Sequence, residues 1–194
     1  MKPDHQTATR PADPDADLLL RSASGDRQAF DELVIRNRQG VLNLIYRYVA
    51  DPVEAEDLAQ ETFVRLYQAR RRYRPTAKFS TFLHRLVVNL CLNEARRRRR
   101  CPTETLVDME QAPTPAAGGP EHSMQQAELS RQVAAALQHL PETQRMAVIL
   151  SRFEGLSYAE IAATMDLSVK AIEALLYRAK QGLVRELGDY VTSA

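Results

Sequence analysis

The sequence predicts an all-α protein: two small helical domains joined by a flexible acidic linker. Three observations lead there. Apolar residues recur three and four positions apart along most of the chain, which marks one buried face per helix. No stretch alternates apolar and polar residues as a half-buried strand would. Residues 101–122, "CPTETLVDMEQAPTPAAGGPEH", shift abruptly to Pro, Gly, Ala and Thr, a composition that punctuates helices and reads as a linker. With 194 residues, 44% of them hydrophobic, the chain can bury a core in one domain or in two small ones.

The elements follow in order. Residues 1–14 are polar and proline-rich and are expected to be disordered. Asp15 to Ser24 forms a short helix that Gly25 ends, and this opens a first domain spanning 15–100. Asp26 caps a long second helix carrying Phe30, Leu33, Val34, Val41, Leu44, Ile45 and Tyr48 at helical spacing. Asp51 caps the third helix, with Pro52 at its favoured first position. That helix carries Val53, Leu58, Phe63, Leu66 and Tyr67 and fades near Tyr73. After the loop "RYRPTAKF", Ser80 starts a fourth helix, which Pro102 stops. Helical periodicity resumes at Ser123, and a second domain spans 123–194. There Pro141 opens a helix that Gly155 ends, Ser157 and Glu160 have capping-box spacing, "MDLS" is a tight turn, and Ser168 caps the last helix. A helix, a short turn and a longer helix with basic residues on its polar face form the pattern of a helix-turn-helix.

Charge is blocked along the chain although the formal net charge is only +1. Between Arg65 and Arg100 lie Arg65, Arg70, Arg71, Arg72, Arg74, Lys78, Arg85 and the run Arg96–Arg100, against a single acid, Glu94. The preceding "DPVEAEDLAQETF" holds Asp51, Glu54, Glu56, Asp57 and Glu61 and no base, and residues 101–130 hold acids and no Lys or Arg. A few arginines suit a helix C-terminus. Five in a row repel one another, and are better read as the footprint of a polyanionic partner.

Other classes find no support in the residues. No apolar run reaches membrane-spanning length, so no direct membrane insertion is expected, and the N-terminal residues have no secretory h-region. Cys91 and Cys101 would lie about 15 Å apart on a continuous helix, too far for a disulfide, which suits a reduced, cytoplasmic protein. Cys91 is expected in the core. The four histidines have no metal-ligand spacing, and there is no phosphate-binding glycine loop and no nucleophile with a base. No cofactor, metal or catalytic activity is expected.

Three stretches carry a resemblance: "AEDLAQETFVRLY", then "KFSTFLHRLVVNLCLNEARRRRR", then "LPETQRMAVILSRFEGLSYAEIAATMDLSVKAIEALLYRAKQGL". In this order, with an acidic linker between the second and third, the chain from about Asp17 to Leu187 resembles bacterial sigma factors of the extracytoplasmic-function (ECF) type, in the sigma-70 family. The resemblance implies a transcription initiation factor, not an enzyme. Its first domain would be sigma domain 2 and its second sigma domain 4. The alternatives are a helix-turn-helix regulator acting without polymerase, or a decoy titrating an anti-sigma factor. Binding to core polymerase separates the first reading from the regulator, and promoter melting separates it from the decoy.

The resemblance also implies roles, each of which suits the chemistry at hand. Asp57, Gln60 and Glu61 lie three to four apart on one polar, acidic helix face and would bind the beta-prime clamp helices of core RNA polymerase. The beta flap would be a further polymerase contact. Tyr73, Arg74, Lys78, Ser80 and Thr81, continued by Arg85, Asn89, Asn93, Arg96 and Arg97, would hold the promoter −10 element. Cationic groups meet phosphates there, while aromatic and polar groups meet unstacked bases. Phe79, Phe82 and Leu86 have a spacing that equally marks an apolar face; Phe82, where the family usually has Trp, is assigned to the core, and Tyr73 and Lys78 to DNA. The arginine run would act as a rail for promoter phosphates. Glu104, Asp108, Glu110, Glu121 and Glu128 in and beside the linker would mimic RNA charge or simply belong to a tether.

In the second domain, Ser168, Lys170, Glu173, Tyr177, Arg178 and Lys180 would face the −35 element. Lys170 and Glu173, early in the recognition helix, are the candidate base readers, and Arg178 and Lys180 the candidate phosphate contacts. Many family members have Thr, a basic residue and Arg where this chain has Ala171, Glu173 and Leu175. Ile172, Leu176 and Leu183 are expected in the core, while Leu175 either extends that face or meets a thymine methyl. Family membership further implies promoter DNA and a cognate anti-sigma factor as partners, the latter able to hold the protein at the membrane.

Overall fold

A computed structural model describes residues 13–100 and 131–191. Every regular element among them is helical. The first bundle comprises α1 (Pro14–Ala23), α2 (Arg27–Val49), α3 (Pro52–Ala69) and α4 (Phe79–Arg100). The second comprises α5 (described over 131–138), α6 (Glu142–Arg152), α7 (Tyr158–Met165) and α8 (Val169–Val191). The all-α expectation is met, with a bundle on each side of the acidic stretch. The expected N-terminal tail (all but Asp13 and Pro14), the linker with its acids, and Cys101 lie outside the described residues.

Local chemistry explains most helix ends. Asp26 and Asp51 cap α2 and α3 through the backbone N–H groups of Ala29 (3.0 Å) and Glu54 (2.8 Å). Ser157 and Glu160 form the expected reciprocal capping box on α7. Ser168 Oγ accepts from Ala171 N–H at 3.2 Å at the start of α8. Gly155 takes a positive φ of 65°, in the turn after α6.

One cap departs from the sequence reading. Helix α4 begins at Phe79, not Ser80, and its first N–H donates to Asp13 Oδ2 at 2.7 Å. The other oxygen of the same carboxylate caps α1 through Ala16 N–H at 3.2 Å. One aspartate, 66 residues away in sequence, thus serves two helix N-termini.

The core of the first bundle is built from Leu19, Leu33, Leu44, Ile45, Leu66, Phe79, Val87 and Val88, all fully or almost fully buried. Cys91 is buried among them, as expected, and burial pushes its thiol well above the ordinary range. Two residues assigned to the apolar stripe of α3 are exposed instead: Val53 at 71% and Tyr67 at 42%. The same buried cluster runs on without a break into Met146, Ile149 and Leu150 of α6, Ile161 of α7 and Ile172 of α8. The two bundles therefore share one core, which a reading of two tethered modules did not anticipate.

The capping box makes two testable statements. Ser157→Ala should lower unfolding stability by about 1 kcal/mol in urea titrations. Glu160 is held down to about 2, first by the Ser157 backbone N–H, then by the Ser157 hydroxyl and Lys78. A carboxyl depressed on folding contributes most above its unfolded value and loses that contribution as pH falls through the folded one. The stability gap between wild type and Glu160→Gln should therefore narrow as pH is lowered from about 4.5 towards about 2.

Candidate nucleic-acid and polymerase interfaces

Helix α3 presents Asp57 and Gln60 to solvent, with Glu61 half-buried beside them. Glu61 accepts from Arg65 Nε at 2.7 Å along the same helix. Next to this polar strip runs an apolar groove between α2 and α3, with Phe30, Val34, Phe63, Val64 and Tyr67 in its walls and Gln60 at its edge. The rings of Phe30 and Tyr67 meet edge to face at 5.0 Å. Ile35, 77% exposed, adds a further apolar side chain on α2. The sequence reading named the acids and missed the groove. Ile35 was the available signal, an apolar residue off the buried stripe of its helix.

On α4, Arg85, Asn89, Asn93 and Arg96 recur at spacings of four, four and three, and all four are exposed. Arg74, Lys78 and Ser80 are exposed in and beside the preceding loop, and Thr81 is half-buried. Tyr73 is a correction. Assigned to DNA from sequence, it is only 5% exposed, because its ring packs into an aromatic group with Phe79 (centroids 6.4 Å apart) and Phe82 (5.0 Å). The loop folds its tyrosine inward, where stacking and burial outweigh hydration of one phenol. Phe82, assigned to the core, packs against it, partly buried.

The arginine run is balanced by acids from three helices. Arg97 pairs with Glu94 at 2.7 Å, and this contact holds the Glu94 carboxyl below the usual range. Arg98 pairs with Glu54 of α3 and reaches Glu94 at 3.6 Å. Arg99 donates to Glu142 of α6 at 2.8 Å. Arg96 donates to Asn93 Oδ1 at 3.0 Å. Glu54 is the most enclosed of these acids, its side chain 13% exposed, and burial pushes its carboxyl up against the opposing pull of Arg98. The run read from sequence as a phosphate rail forms a set of struts within the protein.

In the second bundle, α7, a turn through Asp166 in the left-handed region (φ 55°) and α8 form the helix-turn-helix. Lys170, Glu173, Tyr177, Arg178 and Lys180 are all exposed on α8. Glu173, Tyr177 and Lys180 share one side, facing Arg152 and Tyr158 across a groove. Arg178 Nε donates to the carbonyl of Ala174 at 3.1 Å. Ser168 is exposed, with its hydroxyl engaged in the cap. Ile172 is fully buried; Leu176 and Leu183 are partly buried against the core, and Leu175 extends that face, also partly buried.

With this geometry in view, comparison with known proteins is informative. The models "Sigma-70 region 2" and "Sigma-70, region 4" match residues 33–101 and 130–183. The chain is 35% identical over 187 residues to the RNA polymerase sigma-H factor of Pseudomonas aeruginosa, covering 93% of this chain and 97% of that one. It is 35% identical over 173 residues to the ECF RNA polymerase sigma-E factor of Escherichia coli K12, covering 86% and 90%. The chain belongs to the ECF sigma factors of the sigma-70 family. Among solved structures, CnrH in complex with the cytosolic domain of CnrY resembles this sigma factor with a TM-score of 0.68 and 28% identity, over 91% of this chain and 99% of that one. RpoE of Bartonella quintana, solved in complex with the anti-sigma factor NepR, shares the fold at 21% identity and a TM-score of 0.67, over 83% and 98%. The sigma factor described here is accordingly a polymerase-binding transcription protein. No helix among its described residues is long and apolar enough to cross a membrane, and no group of His, Cys, Asp and Glu there could hold a metal ion.

The struts separate arginines that the sequence treats alike. Arg98→Gln should cost about 1 kcal/mol of stability, because it leaves the enclosed Glu54 carboxylate without its cation. Arg96→Gln should stay within about 0.5 kcal/mol of wild type. Urea denaturation of the two variants checks this.

Proposed function

We propose that this sigma factor recruits core RNA polymerase to a limited set of promoters, melting the −10 element on the first bundle and reading the −35 element on the second. The observation that carries the reading is the exposed row Arg85, Asn89, Asn93 and Arg96 on α4, continuous with Arg74 and Lys78 and joined in one chain to a helix-turn-helix. Two amides flanked by cations along a helix suit phosphates and unstacked bases together. Ser80, Thr81 and Arg97 flank the row, and Tyr73 contributes by shaping the loop from within. Asp57, Gln60 and Glu61 are the proposed contact for the basic beta-prime clamp helices, with the beta flap as a second polymerase contact. Promoter DNA is the nucleic-acid partner. A cognate anti-sigma factor is a further proposed partner, in keeping with the likeness to CnrH, solved with the cytosolic domain of CnrY, and to RpoE, solved with the anti-sigma factor NepR, and a cytoplasmic site of action follows from this function.

Run-off transcription with purified core polymerase on a genomic promoter library tests the reading. Transcripts from a defined promoter subset are expected, and a protein that binds DNA but never core would be a polymerase-independent regulator instead. Asp57→Arg combined with Glu61→Arg should abolish core binding in a pull-down while helicity stays normal. On α8, Lys170 is the proposed base reader, and its loss should cost about 1–3 kcal/mol on the best −35 site and relax preference at one base pair. Arg178→Ala, a proposed phosphate contact, should weaken all sites alike. Selection of −35 sequences by wild type and by both variants distinguishes the two effects.

A further inference from the structure

The two bundles meet along a seam whose polar contacts are specific. Helix α2 ends at Val49, and the next helix starts with Pro52, which has no N–H to offer the carbonyl of Tyr48. That carbonyl accepts from Arg145 Nη1 of α6 at 2.8 Å and from Gln138 Nε2 of α5 at 3.3 Å. Gln138 also reaches the carbonyl of Arg47 at 3.4 Å. The second bundle thus supplies the C-terminal cap of a helix in the first. The arrangement recurs in reverse, where Arg85 of α4 donates at 2.6 Å to the carbonyl of Ala163, in the last turn of α7.

Charge pairs line the same seam. Glu154, 18% exposed, faces Arg47 at 3.9 Å and His84 at 3.6 Å, and the Arg47 guanidinium lies 4.7 Å from the centre of the Phe153 ring. Lys78 pairs with Glu160 at 3.1 Å, and Arg99 with Glu142. Beneath them the apolar core is continuous between the bundles. Lys78 and Arg85 are the very residues proposed to open the −10 surface, and both are engaged by α7.

We infer that this sigma factor has a self-latched closed form, in which α7 of the second bundle engages Lys78 and Arg85 at the N-terminal end of the α4 face and must release them before the −10 strand can bind. The latch itself rests on the seam, while its inhibitory consequence rests on the function proposed above. Glu154 is the most enclosed acid at the seam, and it faces Arg47 and His84 of the first bundle there. Opening exposes the Tyr48 carbonyl and the apolar seam to water, so the closed form is the resting state, and binding of the −10 strand has to draw on the open minority.

The test places spin labels at the exposed positions Gln28 and Gln181 of the full chain, carrying Cys101→Ser, and measures the distance distribution between them. Wild type should give one narrow population. Glu154→Arg should broaden and lengthen it, and Arg47→Glu in the Glu154→Arg background should restore the narrow one. Gln138→Ala, which removes an uncharged part of the latch, should shift it in the same direction as Glu154→Arg. Circular dichroism confirms that each variant keeps its helices. A wild-type distribution already as broad as that of Glu154→Arg overturns the latch, as does a narrow one that neither Glu154→Arg nor Gln138→Ala alters.

Single-stranded −10 DNA, taken from a promoter identified by the run-off assay, supplies a separate arm. An open fraction of about 10% predicts up to roughly tenfold tighter apparent binding of that strand once Gln138→Ala releases the latch. If the distances change as expected but no form binds the strand, the latch stands and the proposed function fails. If Gln138→Ala opens the chain but binds the strand no more tightly than wild type, the inhibitory role of the latch is overturned.

Discussion

Helix α2 ends with a carbonyl that its own chain neighbourhood cannot satisfy. Pro52 follows too soon and lacks the donor, so Tyr48 must find its partner elsewhere. It finds Arg145, whose guanidinium also gathers Gln138 and the carbonyl of Leu140 and lies 5.4 Å from the centre of the Tyr48 ring. This contact sets α6 against the end of α2. With α6 in place, α7 falls across α4, Met146 and Ile149 enter the first bundle's core, and Glu154 meets Arg47 and His84. The side of α4 proposed to face DNA is thus packed against α7 through a seam whose polar anchor lies at the end of α2.

The arginine run shows how one charged segment can be held by acids from several helices. Within Arg96–Arg100, Arg98 braces Glu54, Arg97 braces Glu94, and Arg99 reaches across to Glu142. Solvent-exposed pairs such as Arg97 with Glu94 contribute little stability each and are weakened by salt. They can be exchanged for phosphate contacts at small cost. Arg98 differs, because its partner is enclosed and would be left without a cation. A polyanion approaching this helix end therefore meets arginines of unequal availability, which sequence alone presents as five equivalent charges.

Much of the local structure was legible before any coordinates. Asp26, Asp51, Ser157 and Ser168 all cap where their spacing placed them, because a cap depends on three or four neighbouring residues. Cys91 and Ile172 lie in the core because helical periodicity reports which face is buried. Tyr73 escaped that reading. A loop has no period, and whether its aromatic ring turns inward depends on Phe79 and Phe82 across the turn. Val53 escaped for the opposite reason, a correct period with no neighbour to cover that end of the stripe.

By itself the sequence determined the helices, most of their caps, the alternation of charge and the family, since each is written in near neighbours or in motifs. Tertiary structure alone decided that Asp13 caps α4, that Glu54 holds Arg98, and that Arg145 completes α2. These pairings join residues 44 to 97 positions apart, and nothing in local spacing selects one distant acid or carbonyl over another. They are selected by the burial of the apolar core, within the first bundle and across the seam, which brings the polar groups at its rim within hydrogen-bonding distance and leaves each to find the partner it cannot do without.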